Sequence, residues 1–171
     1  EMNAQIAPAL RRERLRYLLL TVVCLALLGG ALYFQYVRHE DPCPLCILAR
    51  YALVLIAIFG LAGAVSRGWA GIQFARVLAA LSAIGGMAAS GYLIYVQANP
   101  LVSCGYDVVE AFVDALPTSR LLPQVFQVQG MCQTMYPPIL GLTLPMWSLA
   151  AFVVIFLSLA LHRPRRAISL R

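Results

Sequence analysis

The chain has 171 residues, of which 61% are hydrophobic and only 12% are charged. This composition is too apolar for an ordinary soluble domain and indicates a protein that lies in a lipid bilayer. The net charge is +6, but the 13 basic residues are all arginines that cluster beside hydrophobic segments, which indicates a role in membrane orientation and not nucleic-acid binding.

Four apolar segments are long enough to cross about 30 Å of hydrocarbon as helices. We therefore predict an all-α membrane protein, a four-helix transmembrane bundle that forms a single domain over residues 1–171. The first segment follows arginines, as in a signal peptide, but it is longer and leads into a functional motif, so we expect it to be retained. Small residues dominate positions 79–91 of the third segment, which favours close helix packing. The predicted spans are about residues 17–37, 47–65, 77–96 and 144–161.

A motif with two cysteines follows the first predicted helix. Cys43 and Cys46 are separated by two residues and flanked by prolines that restrict the backbone, a pattern typical of a readily exchanged disulfide. Apolar residues run on from Ile47, so Cys46 falls near a helix N-terminus, where unpaired amide donors and the helix dipole stabilise a thiolate. Arg50 lies one turn later on the same face. Its guanidinium is placed to stabilise that thiolate or to hydrogen-bond a carbonyl oxygen of an electron acceptor.

Each part of this motif also has a plainer interpretation. A pair of cysteines two residues apart is also half of a typical zinc site. An arginine near a helix end is often an anchor that extends its charged group to the membrane interface. The motif alone therefore leaves redox, metal-binding and anchoring roles open.

The loop predicted over about residues 97–143 carries the second pair of cysteines, Cys104 and Cys132. Acidic and apolar residues alternate at helical spacing over 107–116, which predicts either a short amphipathic helix on the membrane surface or a polar turn. Prolines bracket a stretch over 117–123 that we expect to be flexible. A flexible segment carrying a cysteine suits disulfide exchange, because the sulfur must reach more than one partner.

The arginines predict the orientation in the membrane. Ten of the 13 lie on the side that holds both termini and the connection between the second and third helices, so this side is predicted to be cytoplasmic. The loops over about 38–46 and 97–143 then face outward, where disulfides persist. Cys24 lies inside the first helix, and we expect it to be an inert apolar residue. The outward-facing cysteines are Cys43, Cys46, Cys104 and Cys132.

Two cysteine pairs on an oxidising face form a relay. The loop pair would accept electrons from an external dithiol and be reoxidised by the helix-end pair through mixed disulfides. The sequence shows no haem-binding histidine pair and no flavin fingerprint. A lipid-soluble quinone that enters from the bilayer is therefore the expected acceptor, with Arg50 as its polar contact.

The combination of motifs closely resembles the DsbB family of bacterial disulfide bond formation proteins, from the first helix to the fourth. The motifs that carry the resemblance are residues 42–47 with Arg50, Cys104 in Ser-Cys-Gly, residues 122–126 followed by 130–132, and residues 141–147 at the start of the fourth helix.

The resemblance implies a role for each cysteine. Cys104 would be attacked by a reduced DsbA-type thioredoxin-fold oxidase, with Cys132 as its loop partner. Cys43 would exchange with the loop pair, Cys46 would lie against the quinone ring, and Arg50 matches the quinone-interacting arginine. The family also implies ubiquinone or menaquinone as acceptor and a bacterial inner-membrane location with the cysteines on the periplasmic face.

Three alternatives remain at this stage. The four outward cysteines would supply a four-thiolate zinc site, although the second pair lacks compact spacing. A vitamin K epoxide reductase-like quinone reductase also combines four helices with two cysteine pairs, but in the opposite order. A channel-like bundle is less consistent with the sequence, because no ladder of charged residues lines the helices.

Overall fold

The structure, a computed structural model, describes residues 2–104 and 106–162, with side chains for 8–104 and 108–162. The described residues form helices and no β-strand, which confirms the all-α prediction. The helices are α1 (Met2–Val37), α2 (Pro44–Val65), α3 (Trp69–Ala98), α4 (Tyr106–Ala115), α5 (Pro117–Leu121), α6 (Pro123–Phe126) and α7 (Leu144–Leu161).

Four of these helices, α1 from Pro8 onward, α2, α3 and α7, are long and apolar enough to cross a membrane. The bounds of α7 agree with the prediction, whereas α3 begins at Trp69 and α1 begins before residue 17. The difference arises because hydropathy marks the part of a helix that suits hydrocarbon, and backbone hydrogen bonding continues into the polar interface. Helix α2 begins at Pro44 and not at Ile47, since proline is well accommodated in the first helical turn.

The bundle is closely packed, as the small residues predicted. Helix α2 packs between α1 and α3, and α3 also packs on α7. A Cβ atom on Gly86 of α3 would lie 2.3 Å from the Phe152 ring of α7, so the ring occupies space that only glycine leaves open. In α1, Thr21 Oγ1 donates a hydrogen bond to Ala57 O of α2 at 3.1 Å. These contacts fix the register of the membrane helices against one another.

The arginine-rich end of the bundle lies opposite the end where α1 leads into Cys43. Arg14 donates two hydrogen bonds to Ser66 O, at 2.8 and 3.1 Å, and so ties α1 to the turn between α2 and α3. At the same end, Glu13 and Arg16 contact His162 after α7. Four of the ten arginines predicted for this end lie outside the described residues: Arg163, Arg165, Arg166 and Arg171.

The long loop is organised as three short helices that rest on α2. Helix α4 confirms the helical alternative for residues 107–116, and its Val113 is fully buried in a cluster with Ile47 and Phe126. The ring of Phe126 in α6 stacks on Tyr51 of α2, with centroids 4.5 Å apart. The expectation of a flexible stretch over 117–123 is therefore corrected: these residues belong to α5 and α6, which pack close to the redox motif.

Candidate active site

The first cysteine pair is built by the N-terminus of α2. Cys43 is the N-cap residue, and its Sγ accepts a hydrogen bond from the Cys46 backbone N–H at 3.2 Å. A sulfur atom thus satisfies one of the backbone donors that every helix start leaves unpaired. Cys43 is only 3% exposed, and Cys46 is partly buried beside it. The helix end therefore brings both sulfur-bearing residues to one place, as the spacing predicted.

The thiol of Cys43, which lies just before the first residue of α2, holds its proton strongly. A side-chain hydrogen bond with Cys46 and burial both raise the pKa of Cys43 well above the ordinary thiol value. A protonated thiol is a poor nucleophile, and the thiolate is the reactive form. In the reduced pair, Cys43 therefore holds its proton at neutral pH.

The second pair is joined in the structure: Cys104 and Cys132 form a disulfide, with their Cα atoms 6.3 Å apart. Both residues are buried, and they belong to one hydrophobic cluster that also contains Cys43 and Leu93 of α3. Cys46 packs against the same cluster. Although 28 residues separate the two loop cysteines, the fold brings them together with the helix-end pair.

Backbone contacts hold the loop against the motif of the first pair. The N–H groups of Gln129 and Gly130 both donate to Pro42 O, at 3.0 and 3.1 Å. A Cβ atom on Gly130 would lie 2.6 Å from Asp41 O, so the two chains touch through their backbones. The segment just before the second loop cysteine therefore lies directly on the segment just before the helix-end pair.

Arg50 is buried and joins three parts of the chain. Its Nη1 donates to Gln35 Oε1 of α1 and to Val125 O of α6, each at 2.7 Å. Among the described residues, Nε and Nη2 have no hydrogen-bond partner, so they remain for a ligand. Sequence reasoning missed Gln35, which also donates to Gln124 O and Gln129 Oε1. The signal was present, since Gln35 is a polar residue within an apolar segment.

An apolar cavity of about 690 Å³ adjoins this cluster. Its size is that of small-molecule sites, which combine apolar walls with a few polar groups. Side chains of α1 and α7 form opposite walls, including Leu27 and Ala151, and Arg50 contributes a charge. Of the predicted site residues, Cys43, Cys46, Cys132 and Arg50 line this cavity.

A smaller hollow of about 330 Å³ lies beside the loop disulfide. It is lined by Cys104, Cys132 and neighbouring residues, including Leu101, whose side chain is fully exposed. Cys104 borders only the smaller hollow of the two cavities described, whereas Cys132 borders both. The disulfide therefore lies between an outer surface and the apolar cavity.

The zinc alternative finds no support in this geometry. In residues 2–104 and 106–162, no group of three or more histidine, cysteine, aspartate or glutamate side chains is arranged to hold a metal ion. Cys104 and Cys132 are bonded to each other, whereas a zinc site requires thiolates.

Comparison with known proteins shows the family of the chain. The sequence model of the family described as Disulfide bond formation protein DsbB matches residues 13–162. Disulfide bond formation protein B 1 of Pseudomonas entomophila (strain L48) is 52% identical over 164 residues, which cover 95% of this chain and 98% of the relative. Disulfide bond formation protein B of Burkholderia pseudomallei (strain 1106a) is 52% identical over 161 residues, covering 92% and 95%. From the match over most of its length, and from its arrangement of cysteines, the chain belongs to the DsbB family of disulfide bond formation proteins.

Proposed function

We propose that the protein is a thiol:quinone oxidoreductase that reoxidises a DsbA-type thioredoxin-fold oxidase and passes the two electrons to a membrane quinone. The coarser statement follows from the family: the chain is a multi-pass membrane protein with a redox role in disulfide bond formation. One observation carries the finer proposal. A single buried cluster holds the Cys104–Cys132 disulfide together with Cys43 and Cys46, beside an apolar cavity that Arg50 lines.

The first half of the reaction uses the outer hollow. A thiolate of the reduced partner attacks Cys104, breaks the Cys104–Cys132 bond and forms a mixed disulfide. The second thiol of the partner then attacks the mixed disulfide and displaces Cys104. The partner leaves with its own two cysteines joined as a disulfide. The two loop cysteines are left as thiols, and they hold the two electrons and protons of the partner.

The second half passes these electrons to the helix-end pair. A loop thiolate attacks the oxidised Cys43–Cys46 disulfide, and a second exchange restores the Cys104–Cys132 bond. The structure has the loop pair oxidised and the helix-end pair as thiols. In the proposed cycle, the helix-end pair holds the two electrons after this exchange.

The residues of the cavity fit a quinone. Arg50 retains N–H donors without partners among the described residues, and a quinone presents carbonyl oxygens that accept such bonds. The apolar walls suit the ring and its lipid tail, and Cys46 contributes the sulfur from which electrons leave. When bound, a quinone supplies the capacity to accept two electrons. Ubiquinone and menaquinone both satisfy these requirements.

The proposed location is the bacterial inner membrane, with the cysteines on the periplasmic face and the whole chain as one membrane domain. The arginine-rich end lies opposite the cysteine cluster, which supports this orientation through the positive-inside rule. The Cys104–Cys132 disulfide also requires an oxidising compartment.

The proposal is tested with purified protein, a reduced thioredoxin-fold dithiol protein and a soluble quinone whose ultraviolet absorbance reports reduction. We expect turnover that is lost in Cys46→Ala and in Cys104→Ala. Cys24→Ala is the matched control, because Cys24 is buried in α1 away from the cluster. Absence of turnover in folded, oxidised, metal-free protein would contradict the proposal, and zinc bound tightly in the same preparation would favour the metal alternative.

A further inference from the structure

Glu40 lies in the turn that connects α1 to the cysteine motif. The N–H groups of Arg38 and Glu40 both donate to Phe34 O, at 3.1 and 3.2 Å, and His39 between them has a φ of 55°. A left-handed residue at this position is a common way to end a helix and reverse the chain direction. After this reversal Glu40 is only 7% exposed, although it is an acidic residue at the end of a membrane helix.

The carboxyl group of Glu40 is unusual because one of its oxygens is buried without a hydrogen-bond partner among the described residues. That oxygen is Oε2. Burial of an ionised carboxylate without a partner is costly, and native structures rarely leave such a group unexplained. Glu40 lines the same cavity as Cys43, Cys46 and Arg50. It therefore borders the cavity in which the proposed acceptor binds.

Burial favours the neutral form of the Glu40 carboxyl group. Burial raises the pKa of Glu40 above the ordinary value, and the nearby guanidinium of Arg38 opposes this effect in part. The other titratable groups near Glu40 are Asp41, Cys43, Tyr136 and, on α2, the cavity-lining Cys46 and Arg50. Asp41 is exposed. Burial raises the pKa of Tyr136 as well, so its phenol holds its proton tightly at neutral pH.

We propose that Glu40 transfers a proton between the helix-end thiols and the quinone. This inference rests on the proposed function. Oxidation of Cys43 and Cys46 breaks two S–H bonds, forms one S–S bond and releases two electrons and two protons, and reduction of a quinone to a quinol consumes them. Glu40 donates its proton to one quinone oxygen and recovers a proton from the Cys43 thiol as the disulfide closes. The proton of Cys46 passes to solvent, and solvent supplies the proton for the second oxygen.

Neither of two neighbouring side chains, Arg50 and Cys43, can carry the proton in place of Glu40. Arg50 cannot lose a proton in proteins and therefore serves only to bind or to stabilise charge. Cys43 holds a proton but must keep its sulfur for the bond to Cys46. A buried carboxylic acid changes its proton occupancy with little movement, and such groups typically contribute about 10²- to 10⁴-fold to reactions that need proton transfer.

The first test uses protein free of quinone. Infrared difference spectra against pH should show that the carbonyl stretch of a protonated carboxylic acid persists to pH values above the ordinary range of a glutamate. The band should be absent in Glu40→Gln and retained in Glu110→Gln, the same change on α4 outside the cavity. A wild-type spectrum without this band, or a band that persists in Glu40→Gln, would overturn the assignment.

The second test follows single-turnover quinone reduction by the pre-reduced protein. We expect Glu40→Gln to slow this step by about a hundredfold, Glu40→Asp to recover part of the rate, and mixed-disulfide formation at Cys104 to be unchanged. In the wild type, the rate should fall as pH rises through the pKa of Glu40, and this dependence should vanish in Glu40→Gln.

The outcomes separate the two proposals. Wild-type protein that exchanges disulfides but never reduces quinone contradicts the proposed function. Wild-type protein that reduces quinone, with Glu40→Gln equally fast, contradicts only the role of Glu40. Normal mixed-disulfide formation in Glu40→Gln shows that the variant is folded, so a slow quinone step cannot then be assigned to misfolding.

Discussion

The two cysteine pairs are constructed in opposite ways. Cys43 and Cys46 lie within one turn at the start of α2, where a backbone N–H and a helix N-cap fix the first sulfur. Cys104 and Cys132 are 28 residues apart and meet through the contacts of a folded loop. The geometry of the first pair is thus a property of local sequence, whereas that of the second exists only in the folded protein.

The two cysteine pairs also differ in their surroundings. The loop disulfide borders an outer hollow beside the exposed Leu101, and the helix-end pair borders an apolar cavity between α1 and α7. In the proposed function, the outer hollow suits a partner in water and the apolar cavity suits a partner dissolved in lipid. The comparison teaches that the proposed relay between two phases needs two differently built pairs and a contact between them.

The largest expected effect is that single cysteine substitutions abolish one half-reaction and leave the other. Cys46→Ser should abolish quinone reduction while a reduced thioredoxin-fold partner still forms a mixed disulfide with Cys104. Cys104→Ser should do the reverse, because a chemically reduced helix-end pair needs no loop cysteine to reach the quinone. Acid-trapped mixed disulfides on non-reducing gels and quinone absorbance measure the two halves. Efficient capture of the partner by Cys104→Ser would break the comparison.

Substitution of Arg50 should affect mainly quinone reduction, the half-reaction proposed for the apolar cavity. Loss of its charged hydrogen bonds in Arg50→Ala should lower the efficiency of quinone reduction by about 10- to 100-fold. Partner capture should change much less, although the bond to Val125 O on the loop is also lost. Arg120→Ala is the control, since Arg120 lies in α5 and is exposed. Unchanged quinone kinetics in Arg50→Ala would remove this residue from the site.

Gly130 tests the contact between the two pairs. The methyl group of Gly130→Ala would collide with Asp41 O, and relief of such overpacking typically costs about 1–3 kcal/mol. Because the collision pushes the loop away from the motif, we expect electron transfer between the pairs to slow by roughly tenfold. Rapid-mix thiol trapping followed by mass spectrometry measures this step. The matched variant is Gly91→Ala, where an added Cβ has no neighbour within 4 Å; equal rates in both variants would argue against the contact.

The smallest expected effect concerns the protonation of Cys43. Its raised pKa keeps the thiol protonated at neutral pH, so alkylation of reduced protein should be slow there and should accelerate as pH rises beyond the ordinary thiol range. Cys46→Ser removes the thiol partner that contributes most to this shift. In that variant the pKa of Cys43 should fall and alkylation at neutral pH should become severalfold faster, as followed by mass spectrometry. An unchanged alkylation rate would show that burial, and not Cys46, controls this thiol.

Local patterns in the sequence predicted the membrane helices and the motif cysteines. Hydrophobic length and arginine placement depend on neighbouring residues, so the bounds of α7 and the helix-end position of Cys46 agree with the structure. The start of α2 was placed too late because the apolar run begins at Ile47, whereas the helix itself begins at Pro44.

What the sequence could not predict depends on contacts between distant segments. Gln35 acquires its role only because Gln124 and Gln129 are folded against the end of α1. The role of Glu40 was not predicted, since nothing local in the sequence shows that the turn at His39 buries it. The cavity likewise requires α1 and α7, which are far apart in the chain, to face each other.

The Cys104–Cys132 bond also has a topological consequence. It closes a covalent ring that contains α4, α5 and α6. A ring of this size restricts the unfolded chain by about 3–4 kcal/mol, and the restriction disappears whenever the bond opens. Each proposed catalytic cycle would therefore convert the loop from a ring to an open chain and back. Sensitivity of this loop to proteases would then follow the number of electrons that the protein holds.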